Sequence, residues 1–411
     1  MVIMLNPFID LYTKVLGMLS LIFDNAEYWL PIVTGFLFWE LWMRYIRLRY
    51  ITNIKWVMLE VKLPRQIDKT PLAMELVLNS LYQTSEGKWH EKYLVGRLKM
   101  WFSLELVSFE GAVHFFIRTP VQFKNVIEAQ IYAQYSNAEV HEVPDYSRYV
   151  NYTGEDGAWS MWGTEMTLAK EDAYPIKTYV DYGLDKPGVK EEYKTDPMTA
   201  MLEFLGAINK GEQVWIQILV QPSGKRKKKP GTWFGKRDWV AEGTELVAKI
   251  INEARERSGA KEGGYVTLTK IEEKKIEAIQ RSLTKYGFDC GIRAIYWAEK
   301  ERFDPSNISG LVGSFRQYNS NNLNSFKPKN MTSFDYPWQD YKNIRLQGLK
   351  STMFNAYKHR SYFYIPYRRK PFVLNTEELA TVYHFPGGVA ETPTFGRIDS
   401  RKAGPPPNLP I

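Results

Sequence analysis

The sequence predicts an α+β protein: an N-terminal transmembrane helix, then two tandem ferredoxin-like α+β units, then an extended C-terminal tail. Three observations predict it. An aromatic, apolar run lies near the N-terminus, a helix, strand, strand, helix, strand order follows it, and much of that order recurs in the second half of the chain.

The first element is Tyr28–Met43, YWLPIVTGFLFWELWM, in which Glu40 is the only charge. Extended to residues 26–45, it reaches the ~20 residues that cross ~30 Å of hydrocarbon. Trp29, Phe36, Phe38, Trp39 and Trp42 supply aromatic bulk, and Arg44, Arg47 and Arg49 follow at once, whereas Asp24 and Glu27 come before. By the positive-inside rule, residues 1–50 are then expected to anchor the chain in the lipid bilayer of the inner (plasma) membrane, with the bulk of it cytoplasmic. Glu40 and Arg44, one turn apart, can pair. Leu11–Phe23, broken by Asp10 and Lys14, reads either as an interfacial helix or as the first arm of a helical hairpin.

Residues 51–150 read as the first α+β unit. Thr70 caps a helix that Pro71 opens, with Leu72, Leu76 and either Leu78 or Asn79 expected on its half-buried face. Leu98–Phe109 and Ala112–Arg118 flank Glu110 and Gly111 as a β-hairpin. Thr119 and Pro120 repeat the cap-and-proline signal, Phe123, Val126, Ile127 and Ile131 share one helical face, and AEVHEV alternates as a strand. Residues 151–193 read as a linking β segment with a strand near 160–169. Residues 194–330 read as the second unit: Asp196–Pro197 and MTAMLEFLGAIN parallel the helix at Thr70–Pro71, and Val214–Val220 is a strand. Ile276–Glu277–Ala278 parallels Ile127–Glu128–Ala129, and a helix stops at Gly287 before the strand CGIRAIYWA. Residues 331–411 read as an irregular connection and a Pro-rich tail ending near Pro405–Pro407.

Fifty-four Lys and Arg against 46 Asp and Glu give a net charge of +8, which favours anionic neighbours. Cys290 is the single cysteine, which excludes an intramolecular disulfide or cysteine-cluster metal site. No phosphate loop, H-E-x-x-H or G-x-S-x-G pattern occurs, so no catalytic, metal or cofactor residue is expected and the chain reads as a non-enzyme. One charged feature stands apart: Lys225, Arg226, Lys227, Lys228 and Lys229 are consecutive, between prolines and glycines, with Trp233 just beyond. The run reads as an anionic-surface loop for lipid or nucleic acid, or as a solubilising connection.

The stretches WVMLEVKLPRQIDKTPLAMELVLNSLYQT, VHFFIRTP, IEAQIYAQYSNAEVHEV and GLVGSFRQYNSNNLNSFKP carry a resemblance. They resemble a domain-of-unknown-function family of bacteria from reduced-genome candidate phyla. In that family such a region sits between a membrane anchor and a type IV secretion or conjugation ATPase of the HerA, FtsK and TraG kind. PFVLNTEELATVYHFPGG and the tail after it resemble the passage leading into the motor, which would begin near Leu409–Ile411. The resemblance implies a membrane-anchored scaffold or adaptor that docks a separate ATPase; self-association is a further expectation for such a scaffold. It also implies that Asn375, Glu377, Glu378, Leu379 and Tyr383 form the docking element, the alternative being a helix packed on its own domain. The competing function is a membrane-tethered nucleic-acid binder using the lysine-rich loop.

Overall fold

The computed structural model describes residues 6–63, 69–154, 157–185, 195–225, 227–228, 235–258, 266–334 and 336–386. The chain divides into two compact units, Met1–Ile54 with Glu86–Leu98, and Lys55–Ser85 with Lys99–Ile411.

The smaller unit is helical. Helix α1 (Asn6–Asp24) and helix α2 (Ala26–Asn53) are separated by Asn25 alone, and a π-helical turn at Glu91–Val95 packs on α2. Here the transmembrane expectation is overturned: among the described residues no helix is long and apolar enough to cross a membrane. Asp10, Lys14 and Asp24 interrupt α1, while Pro31, Thr34, Glu40 and the polar atoms of four Trp and Tyr residues dilute the aliphatic content of residues 28–42. The aromatic ends have protein partners of their own. Trp39 stacks obliquely on Tyr93 with ring centroids 5.8 Å apart, and Trp42 Nε1 donates to Tyr93 O at 3.3 Å. Glu40 and Arg44 do pair, at 3.0 Å.

The larger unit is α+β, built on one antiparallel sheet. Its strands are β1 (Trp56–Lys62), β2 (Phe102–Phe109), β3 (Ala112–Pro120), β4 (Glu139–Val143), β5 (Trp159–Leu168) and β6 (Glu212–Pro222), then β9 (Gly287–Glu299), β10 (Phe326–Lys329) and β11 (Phe372–Asn375). A separate two-stranded hairpin, β7 (Lys227–Lys228) and β8 (Lys236–Arg237), lies between β6 and β9 in sequence. The helices are α3 (Pro71–Ser80), α4 (Lys124–Gln134), α5 (Thr199–Gly206), α6 (Trp239–Ser258), α7 (Lys270–Leu283), α8 (Ser306–Gly313), α9 (Ile344–Lys358) and α10 (Thr376–Val382).

The sheet order β10-β5-β9-β6-β2-β3-β1-β4 contains one pattern twice. The run β1-α3-β2-β3-α4-β4 pairs as 4-1-3-2, and β5-α5-β6-β9-α8-β10 pairs the same way, so the halves meet edge to edge where β2 pairs with β6. Strand β5, read as a linking segment, therefore leads the second half. The counterpart of α4 is α8, because α7, which carries Ile276–Ala278, belongs with α6 to an insertion between β6 and β9. Residues 331–386 carry α9, β11 and α10, with β11 taking the side of β9 that β5 leaves beyond Ile292.

Period-two alternation sorts the strands onto two faces. Leu104, Phe115, Ile216 and Ile292 face a layer of α3, α4, α5, α8 and α10, forming the main core. Helix α3 buries Ala73, Met74, Val77 and Leu78, leaving Leu72 and Leu76 exposed. That phase differs from the expected one because PLAMELVL is apolar on nearly every side, so periodicity alone cannot orient it. The opposite face carries Met58, Phe116, Trp215 and Trp297 beneath α9.

Candidate functional site

In the helical unit, α2 holds Met43 and Ile46 against the 91–96 turn, where Gly96 comes so close that a Cβ would lie 2.5 Å from Ile46 O. N-terminal to that contact most side chains of the helix are exposed, although Trp39 still reaches Tyr93. Phe36, Leu37, Phe38 and Trp39 are exposed, at 68%, 52%, 67% and 48%. At 100° per residue these four consecutive side chains point to every side of the helix. Of the residues expected at the membrane, Trp29 and Trp42 are half-buried, Arg44 is engaged by Glu40, Arg47 is half-buried and Arg49 is exposed.

The expected docking element has a different fate. Asn375, Glu377, Glu378, Leu379 and Tyr383 are all at most 3% exposed, so α10 is an internal helix and not a docking surface. Asn375 and Glu378 form a reciprocal capping box, in which Glu378 Oε2 accepts from Asn375 N at 2.8 Å. Glu378 Oε1 accepts from Ile176 N at 2.8 Å, Glu377 accepts from Thr178 Oγ1 at 2.6 Å and meets Arg281 at 3.2 Å, and Tyr383 donates to Phe116 O at 3.2 Å. Burial pushes the Glu378 carboxyl up to about 8. The hydrogen bonds are those of a cap; the surroundings are those of a core.

On the opposite face of the sheet a polar ladder runs straight across four strands. Glu165 on β5 is registered with Arg293 on β9, Arg293 with Gln217 on β6, and Gln217 with Glu105 on β2. All four are buried. Arg360, just past α9, grips Glu105 with two bonds of 3.0 Å and Asp145 with bonds of 2.6 and 3.0 Å, while Tyr146 donates to Glu105 at 2.7 Å. Burial pushes the Glu105 and Asp145 carboxyls up, but the Arg360 guanidinium outweighs it and holds both below the usual carboxylate range. Arg293 donates to Glu165 at 3.1 Å and to Ala356 O and Ser361 O at 3.1 and 2.7 Å. The ladder thus clamps residues 356–361 to the sheet.

That clamp positions the loop that follows. Tyr362 lies flat against Gly291, where a Cβ would meet its ring at 2.5 Å, and stacks under Arg293 at 4.9 Å. Arg369 N donates to Tyr362 O at 2.7 Å, and its side chain meets Glu165 at 3.5 Å. Between this loop and the paired ends of β6 and β9 opens a cleft of about 610 Å³. Its walls include Gln221, Asp289, Tyr364, Arg368 and Lys370, with Gln221 and Asp289 directly opposite in strand register. The Tyr364 hydroxyl lies 3.0 Å from Lys99 O and 3.3 Å from Gln221 Oε1, and Lys99 Nζ donates to Pro222 O at 3.2 Å.

The lysine-rich run leaves β6 beside this cleft. Ser223 N donates to Gly287 O at 2.9 Å, and Lys225, two residues on, is exposed. Lys227 and Lys228 pair with Arg237 and Lys236 as a small hairpin. Arg226, Lys229 and Trp233 lie outside the described residues. Sequence reading missed Arg368–Arg369–Lys370, a three-residue basic run that was visible, and missed Glu105 and Arg360, which lie 255 residues apart and are joined only by folding. Among the described residues, no three His, Cys, Asp or Glu side chains converge to hold a metal ion.

No curated protein matches this chain. The model of the family described as Domain of unknown function (DUF8128) matches residues 50–396, and the chain belongs to that family.

Proposed function

We infer that this chain is a non-enzymatic scaffold of a translocation apparatus of the secretion or conjugation kind, seated at the inner face of the cell membrane and docking a separate ATPase. The bare segment of α2 carries the reading. Side chains such as Phe36, Leu37, Phe38 and Trp39 cannot all face one neighbour, so an exposed apolar helix of this kind is a subunit-packing element that other chains surround. The resemblance of its sequence to regions that precede translocation motors supplies the apparatus and the ATPase. With α10 buried, the ATPase would meet a surface other than Asn375–Tyr383.

Light scattering on the full chain in mild detergent tests this. The expected species is an oligomer or a complex with a co-purified ATPase, and Phe36→Ser with Phe38→Ser should return it to the 48.0 kDa monomer without changing the melting of the sheet unit. A native chain that is already a stable monomer, with no companion subunit, overturns the reading.

A further inference from the structure

We propose that helix α2 pairs with the α2 of a second copy of this chain, antiparallel, along a leucine stripe on the side away from the 91–96 turn. This rests on the reading of α2 as a packing element and adds its partner and its geometry.

The stripe is a matter of spacing. Leu30, Thr34, Leu37, Leu41 and Leu48 stand four, three, four and seven residues apart, the alternation of a coiled-coil seam. At 100° per residue they fall within about 60° of one another, and the buried Met43 and Ile46 lie roughly half a turn away. All four leucines are exposed, so the seam is open along its whole length. Thr34 brings no unmet donor into it, because its Oγ1 donates to Leu30 O at 2.7 Å.

The ends of the seam fix its direction. The seam position before Leu30 is Glu27, and the one between Leu41 and Leu48 is Arg44; both are exposed. Glu27 forms no ion pair among the described residues, and Arg44 meets Glu40 of its own helix in an exposed pair. In a parallel pair each seam position faces itself, so Glu27 would face a second Glu27 and Arg44 a second Arg44. In an antiparallel pair centred between Gly35 and Phe36, one register sets Glu27 against the partner's Arg44, Leu30 against the partner's Leu41 and Thr34 against the partner's Leu37. Arg44 then lies between two carboxylates, and the overlap of residues 27–44 is about 27 Å long. The acidic end of one helix, with Asp24 and Glu27, runs along the basic end of the other, with Arg44 and Arg49. A lipid surface has no register, so it gains nothing from an acid and a base at matched seam positions, whereas a second copy does.

Cys290 is buried and is the single cysteine, so substituted positions can be crosslinked in the full chain without interference. Under gentle oxidation in mild detergent, Leu30→Cys with Leu41→Cys should give a disulfide-linked dimer on non-reducing electrophoresis. Leu30→Cys alone should give several-fold less, because its two copies lie about 16 Å apart along the axis. Glu27→Arg should raise the dimer dissociation constant, read by sedimentation over a dilution series, by about 10-fold, and Glu27→Arg with Arg44→Glu should restore it. These positions are all exposed, and unchanged melting of the sheet unit confirms that the variants fold. If Leu30→Cys alone links as readily as the double variant, or if reversing Glu27 leaves the dimer intact, the proposal fails while α2 remains a packing element. The same holds if the chain co-purifies with another subunit, or floats with phosphatidylserine vesicles, and the double variant stays unlinked, because another partner then covers the stripe. A native chain that is monomeric without any companion overturns both readings.

Discussion

The two faces of the sheet solve the same problem, covering nine strands, by opposite means. One face is covered by helices through side chains such as Leu104, Phe115 and Ile216, whose contribution is non-directional and grows with buried area. The other is covered by α9 and the 356–361 turn through a row of charges and amides, Glu165, Arg293, Gln217 and Glu105, closed by Arg360. The difference is one of specificity. An apolar face accepts a helix in several rotations, whereas a bidentate Arg360–Glu105 pair and two carbonyl contacts from Arg293 accept one position of one loop. The candidate cleft is built on the loop that the polar face holds, which is where a fixed geometry has a use.

The contrast is sharpest in stability. Arg360→Ala strips buried Glu105 and half-buried Asp145 of the guanidinium that bonds both, leaving Arg118 to act only through its field, and should cost about 3–5 kcal/mol in urea or guanidinium unfolding. Replacing Arg360 and Glu105 together by methionine should recover part of that loss, because it removes the fully buried charge on Glu105 and leaves only half-buried Asp145 without its partner. If the double substitution costs the sum of the two single ones, the ladder is not a coupled unit and the contrast breaks. Ile216→Ala, on the apolar face, should cost about 2–4 kcal/mol and show no coupling to Arg360.

The faces should also titrate in opposite directions. Glu105 and Asp145 have folded pKa values below their ordinary ones, so their contribution is present above the ordinary range and is lost as pH falls through the folded values. Glu378, under the apolar face, has a folded pKa raised from 4.5 to about 8, so its contribution is complete below 4.5 and is lost as pH rises toward 8. Glu378→Gln keeps one non-ionising acceptor for the capping box and turns its amide nitrogen toward the second backbone N–H, a cost that does not depend on pH. Its effect on stability should therefore be more favourable at pH 8.5 than at pH 5 by about 2 kcal/mol, read from unfolding curves at the two pH values. Equal effects at both would sink this assignment.

The smallest effect expected is at the loop itself. Gly291→Ala drives a methyl into the Tyr362 ring and should cost about 1–2 kcal/mol, displacing the 362–371 loop. A Gly291→Ala chain that melts like the native one would show that the close approach of Tyr362 to Gly291 does not hold this loop.

Local signals were legible wherever one residue type answers one backbone demand. Thr70–Pro71 begins α3, and Glu110–Gly111, both at positive φ, turn β2 into β3. The helix expected to stop at Gly287 ends at Leu283 instead, and Gly287 is already in β9, where a Cβ would collide with the Trp239 ring. Misreadings arose where the signal was chemically ambiguous. An aromatic helix with a basic exit reads as a membrane span, yet Trp39 and Trp42 bind Tyr93, a residue 51 positions beyond Trp42. Asn375–Tyr383 reads as an exposed capped helix, because a capping box looks the same in a core as on a surface.

Caps, turns and strand alternation are local properties of the chain, because each depends on dihedral preference or a period of two or 3.6 within a few residues. Which strands are neighbours, that α8 and not α7 completes the second half, and that Glu165, Arg293, Gln217 and Glu105 stand in one row all arise from folding. The row joins residues up to 128 positions apart and Arg360 closes it from 255 away, and the free energy of these bonds exists only once water has been excluded from between them.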